Sequence, residues 1–290
     1  YSAPGNTPIS SHGTAVSIIA AGGTDNDTLQ SHIGYNSTLA IYNMNYNALL
    51  DASYAGYKVI NMSWISGCEF SAYAQDVINT VYENGSFLVA AAGNGSTCGG
   101  AENLVYPASY EHVFSVTSIG PNDNHERIIG DSSSTHQHNT AVDLSAPGYD
   151  VYISPLQGWD LISSGTSYAT PLVSGTVALM LAVNPCLSND DIEYLLKSSS
   201  VFIDDLNPDY AGVIGEGRLD AGAAVEMAFN FNALEINADI SVVCDDFWDG
   251  HIDLEIMGGH SPYQAIWSNG AEGFHLTLPA GEFIVSISDA

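Results

Sequence analysis

A serine stands where a short glycine turn runs into a long apolar segment, and this feature restricts the fold more than any other. Residues 163–171 read Ser-Ser-Gly-Thr-Ser-Tyr-Ala-Thr-Pro, and residues 172–183 are almost entirely apolar. The pattern predicts a helix with a hydroxyl group at its N-terminus, where free backbone N–H groups favour developing negative charge. That position suits a nucleophilic serine. It equally suits a simple N-cap at Thr166 or Ser167.

Two earlier segments supply partners for such a serine. Ser-His-Gly-Thr-Ala at residues 11–15 precedes an apolar run, which predicts a helix with His12 in its first turn. Residues 87–92 predict a buried strand that ends in Gly93-Asn94. A general base, an amide donor and a serine together favour acyl-transfer chemistry. The alternatives are a surface histidine on a helix and a turn-forming asparagine.

These three segments resemble the motifs of the subtilisin-like serine peptidases, or subtilases. The motifs are His-Gly-Thr at residues 12–14, Ala-Ala-Gly-Asn at 91–94 and Gly-Thr-Ser-x-Ala-x-Pro at 165–171. The resemblance covers roughly residues 1–230 and implies a secreted endopeptidase that acts on polypeptides. It implies that Ser167 attacks the peptide carbonyl and that His12 moves the proton. The Asn94 amide and the Ser167 N–H would then hold the oxyanion. We expect His12 and Ser167 to lie within hydrogen-bond reach, or somewhat farther apart without substrate.

The acid of the triad is missing from the expected place. Subtilases carry it before the histidine, and residues 1–11 contain no carboxylate. Asp25 and Asp27 follow the histidine helix in a predicted surface loop and do not suit the role. We therefore expect a fragment cut inside its first catalytic strand, which alone folds poorly and is close to inactive.

Two other functions fit parts of the pattern. One is a catalytically inactive subtilase fold that is used for binding or adhesion. The other is a lipase or esterase, which would carry its serine in a Gly-x-Ser-x-Gly turn. Residues 165–169 read Gly-Thr-Ser-Tyr-Ala instead, so the sequence disfavours this second alternative.

Strand-like and helix-like segments alternate through the first two hundred residues. This alternation predicts an α/β fold: a mostly parallel sheet with helices on both faces, as in subtilisin. Catalytic residues of such folds lie at the carboxyl ends of the strands. The predicted strands are residues 39–44, 59–63, 87–92, 113–119, 141–145 and 150–153, and the predicted helices include residues 46–55, 74–83, 192–197 and 223–229.

The resemblance also implies where a substrate binds. An extended peptide would pair with the strand end at Ser63, Trp64 and Ile65, although the family usually has glycines soon after this serine. The pocket beside the scissile bond would be apolar, with a preference for hydrophobic or uncharged side chains. Its other lining residues would be Ala91, Ala92, Gly93 and Val105.

The charge of the chain excludes several partners. Acidic residues number 33 against four bases, which gives a net charge of −29. Such a chain repels nucleic acids and anionic membrane surfaces. It contains no uncharged apolar run of about 18 residues or more, so we expect no membrane insertion. We expect a monomer. The segment Asp25-Asn26-Asp27 offers oxygens to calcium, but nothing in the sequence assigns a metal.

Four cysteines are present. Cys68 and Cys98 follow adjacent predicted strands, so a disulfide between them is geometrically plausible and would fit a secreted protein. Two free thiols are the alternative. Cys186 and Cys244 have no evident partner.

Residues 233–290 form a separate predicted domain, after a peptidase domain at residues 1–232. Apolar residues alternate with period two, and Ser268-Asn269-Gly270 indicates a turn, so a small antiparallel β-sandwich is expected. Residues 258–270 and 278–283 resemble the Gly-Gly-x-x-Pro-Tyr-x-x-x-Trp-Ser-Asn-Gly and Leu-Pro-Ala-Gly motifs of SprB-type adhesin repeats. Those repeats imply a secreted or cell-surface protein of a Bacteroidetes-like bacterium. A generic immunoglobulin-like spacer is the alternative.

Overall fold

A four-stranded parallel sheet forms the centre of the larger part of the chain. The computed structural model describes residues 11–25, 27, 31–156, 159–231, 234–242, 249–257 and 262–288. The strands of the sheet are β1 (Val59–Met62), β2 (Phe87–Ala91), β3 (Val113–Ile119) and β4 (Leu144–Pro147), in the order β1-β2-β3-β4. Every residue of β2 and β3 is buried, as expected for parallel strands that are covered on both faces.

Helices cover both faces of this sheet, which confirms the predicted α/β class. Ile60 and Met62 of β1 pack with α2 (Tyr46–Tyr54) and α3 (Ala72–Glu83). Asn61, which points the opposite way along the strand, contacts α4 (Thr166–Val183). Helix α1 (Ser11–Ala21) packs beside α4.

Two later helices complete this part of the chain. They are α5 (Asn189–Ser198) and α6 (Ala221–Asn230). Helix α5 begins with a capping box, because the Ser188 and Asp191 side chains each bind the other's backbone N–H. Of the described helices, only α4 is long and apolar enough to span a membrane, and more than half of it is buried, as in the core helix of a globular domain.

Two strand predictions were wrong in informative ways. Residues 39–44 form no strand, apart from an isolated bridge at Ala40. The predicted strand at residues 150–153 does form, as β5 (Val151–Leu156), but it leaves the parallel sheet. It pairs in antiparallel fashion with β6 (Trp159–Ser163), which the sequence analysis missed. Alternating apolar residues specify an extended chain but do not specify its partner.

The few bases of the chain form ion pairs across the larger unit. Arg127 binds Asp150 at 2.6 Å, and Arg218 binds Asp123 at 2.9 Å. Lys197 lies between two carboxylates, 2.8 Å from Asp143 and 2.6 Å from Glu193. Three of the four bases are therefore engaged by acids.

The C-terminal part of the chain forms a separate compact unit, with the division between Phe229 and Asn230. Strands β7 (Glu235–Val242), β8 (Asp249–Met257) and β10 (His275–Pro279) form one antiparallel sheet, in the order β10-β8-β7. Strands β9 (Gln264–Trp267) and β11 (Val285–Ser288) form a second antiparallel sheet. Leu254, Trp267 and Leu278 pack between the sheets.

Candidate active site

The N-terminus of α4 is held in place by the chain on either side of it. Gly165 is the N-cap, so neither Thr166 nor Ser167 has that role. The Gly165 N–H donates to the Gly148 carbonyl at 2.8 Å, which attaches the turn to the loop after β4. Ser167 therefore lies in the first turn of the helix, where the positive end of the helix dipole favours an anion.

Asn94 makes the central contact of the site. Its side-chain oxygen accepts hydrogen bonds from the Thr166 N–H at 3.0 Å and from the Thr166 hydroxyl at 3.1 Å. A backbone N–H can only donate, so the oxygen must face Thr166 and the NH2 group must face away. Neither this NH2 group nor the Ser167 N–H has a hydrogen-bond acceptor among the described residues. Two adjacent donors are thus available to one oxyanion.

Asn61 of β1 and Ser63, just after that strand, bind the nucleophile helix. The Ser63 hydroxyl donates to the Ser167 carbonyl at 3.0 Å and accepts from the Asn61 amide at 2.9 Å. The Asn61 carbonyl oxygen in turn accepts from Ser174 of α4 at 3.0 Å. Asn61, Thr166 and Ser174 were not among the predicted site residues.

His12 lies at the N-terminus of α1, next to that of α4. Its ring centroid is 6.1 Å from that of Tyr168, the residue after Ser167. Tyr168 packs against Ala15 and Ile19 of α1, so it joins the two helices. Desolvation by the surrounding protein lowers the pKa of His12 below its usual value, which favours the neutral form that a general base requires. No hydrogen bond joins His12 to Ser167 among the described contacts, so their pairing stays a prediction.

A cavity of about 250 Å³ lies beside His12, and its walls are mostly apolar. One wall is α1, a second is the irregular segment 37–44, and a third is β1. Ser63 and Trp64 also line it. Strand β1 is an edge strand among the described strands, and edge strands present unpaired backbone groups. The cavity therefore separates a strand edge from the irregular segment 37–44.

The predicted substrate-binding residues differ in exposure. Ile65 is exposed, and Trp64 is half-buried with its ring 5.5 Å from that of Tyr46. Ser63 is buried, and its hydroxyl is already bound to Ser167. The side chains of Ala91, Ala92 and Val105 are buried, and Gly93 is also buried.

A disulfide joins the two loops that follow β1 and β2. Cys68 and Cys98 are bonded, with their Cα atoms 5.4 Å apart, within the range that a disulfide requires. Cys186 is exposed and free, and Cys244 lies outside the described residues. The loop that carries Asn94 is therefore covalently attached to the loop that carries Ile65.

The loop suggested for calcium is only partly described. The Asp25 carboxylate accepts a hydrogen bond from the Tyr35 hydroxyl at 2.9 Å, and Asn26 lies outside the described residues. In the described part of the chain, no group of three or more His, Cys, Asp or Glu side chains is arranged to hold a metal ion. We derive no step through a metal.

Comparison with protein families and curated relatives gives one consistent result. Residues 2–225 match the model of the subtilase family. Subtilisin DY of Bacillus licheniformis is 30% identical over 232 residues, which cover 76% of this chain and 80% of that protein. The halolysin-like extracellular serine protease Nep of Natrialba magadii is 36% identical over 226 residues, which cover 74% of this chain and 38% of that protein.

Solved structures show the same fold. The prenylagaramide maturation protease PagA matches with a TM-score of 0.64 at 23% identity, over 78% of this chain and 85% of that one. A protease of Pseudoalteromonas arctica matches with a TM-score of 0.62 at 27% identity, over 75% of this chain and 70% of that one.

Proposed function

Because the chain belongs to the subtilase family of serine peptidases, we propose that it is a secreted endopeptidase with Ser167 as nucleophile and His12 as general base. One observation carries this proposal: Thr166 fixes the Asn94 amide oxygen, so that the amide NH2 group and the Ser167 N–H are both without an acceptor among the described residues. Such an arrangement suits an oxyanion and has no evident structural purpose.

The proposed reaction has two steps, acylation of Ser167 and hydrolysis of the acyl-enzyme. The Ser167 oxygen attacks the peptide carbonyl while His12 takes its proton, and the carbonyl oxygen becomes an oxyanion held by Asn94 and the Ser167 N–H. The C–N bond then breaks, and His12 gives the proton to the leaving amine. Water repeats the attack on the acyl-enzyme with His12 as base, and the proton returns to Ser167 as the acid product leaves.

We assign the third member of the triad to a carboxylate outside the described residues. Desolvation alone accounts for the shifted pKa of His12, and no described carboxylate contacts its ring. The cavity between β1 and segment 37–44 fits an extended apolar strand. A strand paired with the open edge of β1 would end beside His12, as its neighbours end beside Ser63 and Asn94.

Secretion is supported by the chemistry of the cysteines. The Cys68–Cys98 disulfide requires an oxidising environment, and one curated relative is named as extracellular. The C-terminal β unit, with its likeness to SprB-type repeats, would then serve as a cell-surface or spacer module on a bacterial enzyme.

A second candidate function is a subtilase fold without catalysis that binds polypeptides, since no described carboxylate contacts the His12 ring. The test for both is covalent labelling with a fluorophosphonate, which reacts with activated serines, together with hydrolysis of a fluorescent casein. If the protein is an enzyme, Ser167→Ala should abolish both the labelling and the hydrolysis. A matched loop variant, Ser133→Ala, should keep both. A protein that binds casein but shows no Ser167-dependent labelling or hydrolysis would favour the inactive module.

A further inference from the structure

Gln137 is a buried glutamine behind the loop that carries Asn94, and the proposed chemistry does not use it. Its side chain has no exposed surface. Its N–H donates to the Gly93 carbonyl at 3.1 Å, and its carbonyl accepts from the Thr117 hydroxyl at 2.5 Å. The main chain of Gln137 therefore connects the end of β2 with β3.

The side-chain amide of Gln137 holds the next loop at three points. Its nitrogen donates to the carbonyls of Thr97 at 2.9 Å, Gly100 at 2.8 Å and Asn103 at 3.4 Å. All three carbonyls lie in the loop that follows Asn94. A buried polar network of this kind makes a loop rigid.

Thr97 extends this network to the catalytic residues. Its carbonyl accepts from Gln137, and its hydroxyl accepts from the Asn94 N–H at 3.2 Å. The Asn94 side chain in turn accepts from Thr166, the residue before Ser167. A continuous series of hydrogen bonds thus runs from Gln137 to the nucleophile turn.

The side-chain oxygen of Gln137 lowers the stability of the fold. Its oxygen is buried without a hydrogen-bond partner, and such a group destabilises a protein. A β-carbon built on Gly93 would come within 3.0 Å of this oxygen, so the amide fills the space behind Gly93 closely. Leucine would fill a similar volume without the unpaired oxygen, and the amide is therefore explained by its three donated hydrogen bonds.

We propose that Gln137 is a positioning residue that acts through Thr97 to hold the Asn94 amide at the oxyanion. The inference rests on the proposed role of Asn94. A small displacement of Asn94 weakens a contact that matters in the transition state and leaves substrate binding intact. Loss of Gln137 should therefore lower kcat and leave KM nearly unchanged.

The first measurement is independent of activity. Hydrogen exchange of the Asn94 and Thr166 backbone amides should be at least about tenfold faster in Gln137→Leu, because local opening sets the exchange rate of both amides. Thr97→Val, which removes the acceptor of the Asn94 N–H, should give the same result. Asn139→Ala is the control, since Asn139 also binds the Asn103 carbonyl, at 3.0 Å, but has no contact with Thr97. Unchanged exchange in both Gln137→Leu and Thr97→Val would overturn the proposal.

The second measurement is a double-mutant cycle on peptide hydrolysis. We expect Gln137→Leu to lower kcat about tenfold to a hundredfold with KM within about twofold, and to cause no further loss when Asn94 is already alanine. An equal loss of kcat with and without the Asn94 side chain would overturn the proposal. A wild-type protein without Ser167-dependent hydrolysis would refute the proposed function instead, and hydrogen exchange would still decide whether Gln137 holds Asn94.

Discussion

The two sides of the candidate active site are built in different ways. On the Ser167 side, Asn94, Thr166 and Gln137 form a series of hydrogen bonds, and a disulfide holds the same loops. On the His12 side, the histidine faces a cavity with apolar walls, and desolvation alone accounts for its shifted pKa. Contacts among the described residues fix the geometry of the Ser167 side. The His12 side has a cavity large enough for part of a further strand.

This difference indicates that the nucleophile and the oxyanion groups can be held in place independently of the histidine. Electrostatic stabilisation of an oxyanion acts without the acid of a triad, which explains the residual catalysis of triad variants. The histidine, in contrast, needs a carboxylate to fix its tautomer and to stabilise its charged form. The following experiments test whether the two sides are as separable as the structure indicates.

The largest expected effect comes from placing a carboxylate beside His12, where no described carboxylate lies. We predict that an apolar strand ending in aspartate, fused ahead of residue 1, raises kcat on the order of 10⁴-fold over the same strand ending in asparagine. The measurement is hydrolysis of a chromogenic peptide by the two fusions, with Ser167→Ala as background. Equal rates for the two fusions would show that the cavity does not bring the strand to His12.

Removal of the Asn94 amide should have the next largest effect. Asn94→Ala is expected to reduce kcat about 10²–10³-fold, the loss seen when a subtilisin is deprived of such a donor. Steady-state kinetics should show KM almost unchanged, because the contact strengthens only in the transition state. A rise in KM with constant kcat would instead place Asn94 in substrate binding.

The disulfide should matter for stability on the Ser167 side. Replacing Cys68 and Cys98 together by serine is expected to cost about 3–4 kcal/mol of unfolding free energy, from the length of the loop that the bond closes. Urea unfolding followed by fluorescence measures it, and Cys186→Ser is the matched control because Cys186 is exposed and free. Equal midpoints for both variants would show that hydrogen bonds alone hold these loops.

A further expected effect is a dependence of stability on acid pH. Burial lowers the pKa of His125 to about 3 and that of His136 to about 4, with His138, Tyr210 and Arg127 as neighbours. Both stay neutral in the folded state and gain protons on unfolding. Above about pH 6.5 both histidines are neutral in the folded and the unfolded state, so they do not reduce the free energy of unfolding. Below that pH the free energy of unfolding falls by about 1.4 kcal/mol per pH unit for each histidine, until the pH reaches the folded pKa.

The measurement is urea unfolding between pH 7 and pH 4. His125→Gln should reduce the slope of the unfolding free energy against pH. Equal slopes for wild type and His125→Gln would mean that the buried pair is protonated at little cost. The pH response would then arise elsewhere in the molecule.

Short sequence patterns predicted the strands and motif positions that are determined by neighbouring residues in the chain. The α/β class and the strands at Val59–Met62 and Phe87–Ala91 follow from runs of apolar residues bounded by turns. His12, Asn94 and Ser167 stand out because short motifs place them at the ends of such elements. Their assignment as catalytic residues remains a prediction.

The errors arise where the partner of a segment is distant. Residues 39–44 have strand-like composition, but no described strand lies beside them to accept their backbone groups. Gln137 gives no sequence signal, because its partners are backbone carbonyls, which every residue has. For Thr166 the sequence suggests only an alternative N-cap, because its contact with Asn94 joins residues 72 positions apart in the chain.

The four ion pairs made by Arg127, Lys197 and Arg218 have a consequence for the solution around the protein. With four bases against 33 acids, most carboxylates must be balanced by dissolved cations rather than by side chains. At about 0.1 M salt, charges more than about 10 Å apart are largely screened from each other, and in dilute buffer that distance triples. Ionic strength therefore sets the mutual repulsion across this surface, and the electrolyte contributes to the stability of the fold.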